Sequence, residues 1–535
     1  MKKLLTASIV LISAVALVGC GSKAKKETAS EDYGLKNISF PLKKSVSLNI
    51  LTSENQVAPK DPNDMTIFKR IEKQSNVKVN WTNYPNDFAE KRNLDIASGA
   101  LPDAIFNAQA SEQDLLTWAK NGVIVPLEEA IEKYMPNLQA VFKASPEYKK
   151  MLTAPDGHIY SLPWIEELGK GKESIHTVNS LGWINQKWLN KLGLSQPKTA
   201  KDLYDVLKAF KEKDPNGNGK KDEIPLSFMS SDDGNDLKML FAAFGDGSGD
   251  NGQHLIVNND GKVQFTTNTN AYKEAIKYLN KCYSEGLIDT ESFEQDWSRY
   301  VAKGADEKYG LYFTWDPHNV TGPGDDYVMY QPLAREDGKI NVTRTNNFGF
   351  SRDRFVVTSA NKNMELTAKW IDQMYAPVQS IQNNWGTYGE KGQNIFKYDQ
   401  AANKLTHEPL GGTSPVELRQ KTSVGGPLAV LNAYYGKYTT MPDDAKWRLD
   451  LMSKYIFPHV NNEFNYPNIF MSKQDTKRIA DIDADMQDYI TQKRDEWITK
   501  GTIDQEWDVY IKQLKAYGLD EWLKIKQTNY DNYIK

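Results

Sequence analysis

The chain has 535 residues, with 66 lysines and arginines against 70 acids and a formal charge of -4. No basic block lies beyond the first few dozen residues, which argues against nucleic acid as a partner. Aromatic residues make up 11%, including 13 Trp and 27 Tyr, while only two cysteines, Cys20 and Cys282, are present.

In chain order, Met1-Lys2-Lys3 is positive, Leu4 to Val18 is almost wholly apolar, and Leu17-Val18-Gly19-Cys20 closes the run with small residues. That order predicts a signal peptide over 1–19, because the apolar run falls short of the ~20 residues that span a bilayer as a helix. The last four residues resemble a bacterial lipobox. The resemblance implies a diacylglycerol on the Cys20 thiol and a protein held by membrane lipid at the extracytoplasmic face of the cell membrane, since two acyl chains give stable anchoring. Cys282 is then left without a disulfide partner, and in the helix-like Tyr278-Leu279-Asn280-Lys281-Cys282-Tyr283 it reads as a buried, inert thiol. Residues 20–36 are polar and charged, and read as the lipidated cysteine followed by a flexible tether.

The roughly 490 residues that follow exceed one ordinary domain and predict two lobes. Val46, Leu48 and Ile50 alternate with polar residues, Ile67, Phe68 and Ile71 share a helical face, and Val77, Val79 and Trp81 alternate again: strand, helix, strand. Ala104-Ile105-Phe106 reads as a buried strand, and Ser111 with Asp114 can cap the helix after it. Such alternation predicts an α/β fold with a largely parallel sheet. Further helices are expected at Thr199 to Lys213 and Asn270 to Gly286, with an apolar strand at Ile224 to Phe228. From Asp443 onward the chain is expected to be mostly helical, with stretches at Asp475 to Lys500 and Gln505 to Ile525 and stops at Gly501 and Gly518.

Between helix and strand lies Asp214-Pro215-Asn216-Gly217-Asn218-Gly219-Lys220-Lys221-Asp222-Glu223. Oxygen-bearing side chains at alternate positions of a tight loop can point at one centre, and Gly219 permits the reversal between them. Asp214, Asn216, Asn218, the carbonyl of Lys220, Asp222 and Glu223 could supply the six to eight oxygens that calcium prefers. An EF-hand carries a bidentate Glu at its twelfth position, which here is Pro225, so this is not an EF-hand proper. On loop chemistry alone, an Asn-Gly turn with solvated charges fits as well.

The run from Gly182 to Leu194, then Pro197-Lys198-Thr199, the loop and Ile224-Pro225-Leu226 resemble the extracellular solute-binding lipoproteins of carbohydrate ABC importers, in the branch with the alginate-binding and fructo-oligosaccharide-binding proteins. Ala97 to Asp103, Asp156 to Pro163 and Trp507 to Leu523 support the likeness. It implies structural Ca2+ on the six loop ligands, including the paired acids at 222–223 where an EF-hand would continue, and no chemistry at the ion. It also implies a two-lobed, periplasmic-binding-protein-like fold with an interlobe cleft, a hinge and a helical C-terminal region. On this basis lobe 1 is expected at 37–163 plus 309–383, and lobe 2 at 164–308 plus 384–535. The implied function is capture of an oligosaccharide by lobe closure and handover to ABC permease subunits, by a monomer that is not an enzyme.

A sugar ring has an apolar C–H face and a hydroxyl rim, so its site needs flat aromatic surfaces together with groups that donate and accept hydrogen bonds. Trp164 and Glu166 follow a break at Leu162-Pro163, Trp315 and Asp316 follow the strand-like Leu311-Tyr312-Phe313, and Trp385 sits in an expected loop. Glu54 and Asn55 fall at the carboxyl end of the first strand, where open α/β sheets bind ligands. These seven are the expected ligand contacts. A surface-anchored glycoside hydrolase or a peptide-binding lipoprotein are the alternatives. Against the hydrolase, there is no Gly-x-Ser-x-Gly elbow or His-x-x-x-His pair, although the 70 acids leave a carboxylate pair open.

Overall fold

The computed structural model describes residues 30–535 except 175–176, 246–248, 323, 343, 348, 411–414 and 442. The signal peptide, Cys20 and the expected tether as far as residue 29 lie outside the described residues; the rest of that expected tether, 30–36, is not free of the body, because Tyr33 bonds Ser47 and Asn363.

Strand β1 (Val46–Thr52) pairs in parallel with β2 (Val77–Asn83), and the helix Thr66–Ser75 makes the crossover that a parallel pair requires. Its Ile67, Phe68 and Ile71 join Leu48, Ile50 and Val79 in one buried cluster. β3 (Ala104–Phe106) is buried at every position and lies parallel to β1. After it, Ser111 and Asp114 close a reciprocal cap on the helix Glu112–Lys120. The remaining strands are β4 (Leu162–Glu166), β5 (Gly182–Asn185), β6 (Ile224–Leu226), a hairpin of β7 (Leu255–Val257) and β8 (Val263–Phe265), β9 (Tyr309–Phe313), β10 (Tyr327–Met329), β11 (Phe350–Val357), a second hairpin of β12 (Phe396–Asp399) and β13 (Lys404–His407), and β14 (Leu428–Val430).

Two larger sheets organise the lobes. The first has the order β14-β4-β11-β3-β1-β2 and the second β10-β5-β9-β6. The first is mixed rather than largely parallel, because β11 runs antiparallel to both β3 and β4. The expected lobe boundaries also move. β9 and β10 belong to the second sheet, so the chain returns to the first lobe between Met329 and Phe350 and not near Lys308. β14 belongs to the first sheet, so the segment after Asn383 contributes to lobe 1 before the chain leaves it for good. β9 is buried at all five positions, and a strand that is apolar on both faces reads the same in either sheet.

The C-terminal helices Lys473–Lys500 and Ile503–Tyr517 stop at Gly501 (φ 73°) and Gly518 (φ 110°), both left-handed, and Leu519–Ile534 follows. The expected stretch Gln505 to Ile525 is therefore two helices parted at Gly518. Met486, Ile490 and Trp497 pack in a core with Ile276 and Leu279 of the helix Asn270–Ser284, and Cys282 is buried in the same core. Burial pushes its thiol up to about 11, which keeps it protonated and inert. Arg494 reaches from the C-terminal helices into lobe 2, donating to Asp236 Oδ2 at 2.6 Å and to Ser230 Oγ at 2.6 Å.

Three crossings join the lobes, and the short helix Pro146–Leu152 of lobe 1 holds parts of the chain on either side of them. Lys172, in the first crossing, bonds Glu147 and donates to Ser145 Oγ at 2.9 Å. Arg352, where the second crossing enters β11, donates to the Met151 carbonyl at 2.9 Å and to the Asn468 carbonyl of the third crossing at 2.8 Å. Lys150 bonds the carbonyl of Tyr533 in the last helix. At the far end of lobe 1, the Tyr33 hydroxyl donates to the Ser47 carbonyl at 3.1 Å, the Tyr33 N–H to Asn363 Oδ1 at 3.2 Å and the Ile38 N–H to Glu365 at 2.6 Å.

Candidate functional site

In the first sheet β1, β2, β3, β4 and β14 run one way and β11 the other. The carboxyl ends of β1, β3 and β4 therefore share one edge, marked by Glu54, Asn107 and Glu166. The chain leaves for lobe 2 from this edge and returns to it at Phe350, so the edge faces lobe 2. In the second sheet β9 ends at the edge where β5 begins, with the Thr314 N–H donating to the Leu181 carbonyl at 2.9 Å. Trp315 and Asp316 follow at that edge. Ligands of open α/β sheets bind at such strand ends.

On the lobe 1 side, Trp164 Nε1 donates to Asn384 Oδ1 at 3.2 Å, and Asn384 Nδ2 donates to Glu166 Oε1 at 2.7 Å. Trp385 Nε1 donates to the Tyr435 hydroxyl at 3.3 Å, and the Arg419 guanidinium lies 4.7 Å over the Trp385 ring. Glu166 is buried, and burial together with its carboxylate keeps the Tyr435 hydroxyl protonated well above the usual phenol range. Trp164 is half-buried, with an edge to offer. Trp385 is not the loop residue expected: it is the last residue of the helix Pro377–Trp385 and only 6% exposed.

Trp315 and Asp316 of lobe 2 are held by Arg448, which precedes the third crossing: its Nη1 donates to the Trp315 carbonyl and to Asp316 Oδ2, both at 3.1 Å, and Asp316 Oδ1 accepts from the His318 N–H at 3.1 Å. Trp315 lies against Gly234, where an added Cβ would stand 3.0 Å from Trp315 Nε1. Trp385 belongs to a hydrophobic cluster that draws on both lobes, and Trp164 and Trp315 pack against it.

Glu54 and Asn55 form a separate group. Glu54 is 4% exposed, and burial pushes its carboxyl up to about 8 against a weak 3.3 Å bond from Thr52. Asn55 is exposed and accepts from the Val57 N–H at 3.1 Å. Near them Asn107 Nδ2 donates to the Val424 carbonyl at 2.9 Å, leaving its buried Oδ1 without a partner. Asn384, Tyr435 and Arg448 were not singled out in the sequence. Asn384 adjoins Trp385 and could have been; Arg448, 132 positions from Asp316, carried no local signal.

The loop 214–223 folds on itself. Asp214 Oδ1 accepts from the Gly217 and Asn218 N–H groups at 2.9 and 3.2 Å, Asn216 Oδ1 from the Asn218 N–H at 3.0 Å, and Asn218 Oδ1 from the Lys220 N–H at 2.7 Å. The amides of Asn216 and Asn218 both converge on Asp222 Oδ1, at 3.1 and 3.0 Å, and hold that carboxyl below its usual range. Glu223 Oε1 is buried with no partner, and desolvation with Asp214 and Asp222 nearby raises its carboxyl. Acids crowded around an orphaned carboxylate oxygen fit a hard cation. Among the described residues no three Asp, Glu, His or Cys side chains form a metal-holding group, so amide and main-chain oxygens would have to complete the set.

These features define a two-lobed binding protein, with hinged α/β lobes and aromatic and polar groups at the facing sheet edges. Residues 56–381 match the family described as bacterial extracellular solute-binding protein, and the chain belongs to that family. It is 58% identical over 531 residues, 99% of its length and 97% of the relative's, to the fructooligosaccharide ABC transporter substrate-binding protein FusA of Streptococcus pneumoniae. The solved structure of S. pneumoniae FusA with kestose is 59% identical, with a TM-score of 0.81 over 91% of this chain and 99% of that one. A FusA EF-hand mutant in complex with fructo-nystose matches with the same identity, coverage and TM-score. The relatives are binding proteins and not enzymes. Among the described residues no helix is long and apolar enough to cross a membrane.

Proposed function

We propose that this chain is the substrate-binding subunit of an ABC importer and that its ligand is a fructo-oligosaccharide. The observation that carries the reading is the bonded row Trp164–Asn384–Glu166 on lobe 1 with Trp315 on lobe 2, inside a chain so similar to a kestose-holding relative. Tryptophan rings take the C–H faces of sugar rings, while a carboxylate accepts from hydroxyls and an amide both donates and accepts. Ligand that touches both walls favours the closed arrangement, and permease subunits would read that state.

The loop oxygens of Asp214, Asn216, Asn218, Lys220, Asp222 and Glu223 would hold a structural Ca2+, which stiffens the join between the helix Ala200–Glu212 and β6. The EF-hand mutant relative still carries a fructo-oligosaccharide, which supports a calcium site remote from the sugar. Cys20 would carry the lipid that moors a monomer to the outer face of the membrane.

Thermal unfolding of the form lacking residues 1–20, against a panel of oligosaccharides with and without chelator, tests both parts. A ligand that binds only the folded state raises the midpoint once it exceeds its dissociation constant. Kestose should raise the midpoint and chelator lower it. No response to any fructo-oligosaccharide would overturn the ligand, and indifference to chelator would overturn the metal.

A further inference from the structure

A cavity of about 450 Å³ lies where the lobes join, within the ~300–1,000 Å³ typical of small-ligand sites. All three crossings line it: Asn179 from the first, Asn347 from the second and Asn468 from the third, with Glu112 from lobe 1 and Asp233, Gln253 and Lys526 from lobe 2. Its polar lining is mostly carboxamides, which both donate and accept, as a polyhydroxyl ligand requires. Their commitments are partial. Gln253 accepts through Oε1 from Asn346 at 2.8 Å and keeps its amino group, Asn468 accepts from Arg352 through Oδ1 at 2.9 Å and keeps its own, and Asn179 Oδ1 is buried with no partner. The Phe350 and Tyr466 rings add apolar surface. Lys526 lies 5.4 Å over both the Tyr466 and Trp522 rings.

One loop links the cavity wall to the edge that carries Trp315. Asp233, in its wall, directly precedes Gly234, the residue against which Trp315 lies. Asp233 is held by Lys238, so the loop that forms part of the cavity wall also supports Trp315.

We propose that this hinge cavity is an accessory carbohydrate subsite that takes the outer units of a chain longer than a trisaccharide, whose first units lie on Trp315. The assignment rests on the fructo-oligosaccharide reading above. Because the three crossings move relative to one another when lobes close, a ligand seated here would bind the closed arrangement preferentially. Chain length would thus be read as ease of closure.

The test is calorimetric titration of the soluble chain with fructo-oligosaccharides of three and of five units. Two variants are compared with the parent: Gln253→Trp, a plug introduced at an exposed position, and Gln253→Leu combined with Lys526→Met, which removes polar partners and keeps bulk. Melting temperatures check that both fold. The parent should bind the longer chain more tightly, and both variants should lose about tenfold for it, the equivalent of one or two net hydrogen bonds, while the trisaccharide is unaffected. The subsite is refuted if the parent shows no preference for length, if neither variant changes the longer chain's affinity, or if both ligands weaken equally. Trp315→Ala is titrated alongside: should it leave the trisaccharide bound as before, the cleft reading itself fails, an outcome distinct from failure of the subsite.

Discussion

The loop at 214–223 and the cleft are built on opposite plans. The loop's hydrogen bonds quoted above all close within ten consecutive residues, so its geometry is local and survives changes elsewhere. The cleft draws Trp164, Asn384 and Tyr435 from one lobe, Trp315 from the other and Arg448 from the segment before the third crossing, and exists only while two sheets and three crossings hold those pieces in place. A local site can be added to a fold or lost from it at little cost elsewhere; a dispersed one inherits every weakness of the frame.

The largest effect should come from the frame. Arg494 and Asp236 form a buried pair that ties a C-terminal helix to the segment leading back to Gly234 and Trp315. Arg494→Met leaves the buried Asp236 carboxylate with only the more distant Lys238 ammonium, at 3.8 Å, and should destabilise the protein by about 3 kcal/mol in chemical denaturation, weakening sugar binding with it while calcium binding persists. If calcium binding falls in step, the two regions are not separable. Next comes the cleft itself: Trp315→Ala should cost about 2 kcal/mol of binding, some 30-fold in Kd by calorimetry, with the melting temperature little changed.

Glu54 sharpens the contrast through pH. Its carboxyl stands at about 8 in the folded chain against 4.5 unperturbed, so the native state holds a proton that the unfolded state gives up. The stability due to Glu54 is complete below about pH 4.5 and is lost as pH rises through 8. Glu54→Gln should therefore leave the melting temperature at pH 5 almost unaltered and stabilise by about 1–3 kcal/mol at pH 9. A stabilisation equal at both pH values would show that Glu54 does not titrate there. The smallest effect belongs to the loop seen from the cleft. Asp214→Ala should abolish the calcium-dependent rise in melting temperature yet change sugar affinity by no more than about twofold, as expected of independent sites.

These plans also explain what could be read from the residues alone. Ile67, Phe68 and Ile71, Ser111 with Asp114, and the glycines at 501 and 518 report on neighbours a few positions away, so the helices and caps they predict are present. The loop's alternating oxygens are legible for the same reason. The origin of β9 was not: five buried residues carry no mark of which sheet they enter, and that decision is made by the pairing of Gly182 with Phe313 across the second lobe. Tyr435 and Arg448 were invisible too, since nothing around either residue refers to Trp385 or Asp316. Glu166 could be guessed from its place after Trp164, but its partner Asn384 lies 218 positions away.

The segment around Tyr33 and Ile38 grips lobe 1 at the amino ends of its strands, the end remote from the cleft. A lipid anchor on Cys20, as proposed above, would therefore pull on lobe 1 alone, along the strands and away from the mouth of the cleft. Lobe 1 would then be the moored half and lobe 2 the swinging half, so that tension on the anchor could turn the whole molecule without prising the jaws apart.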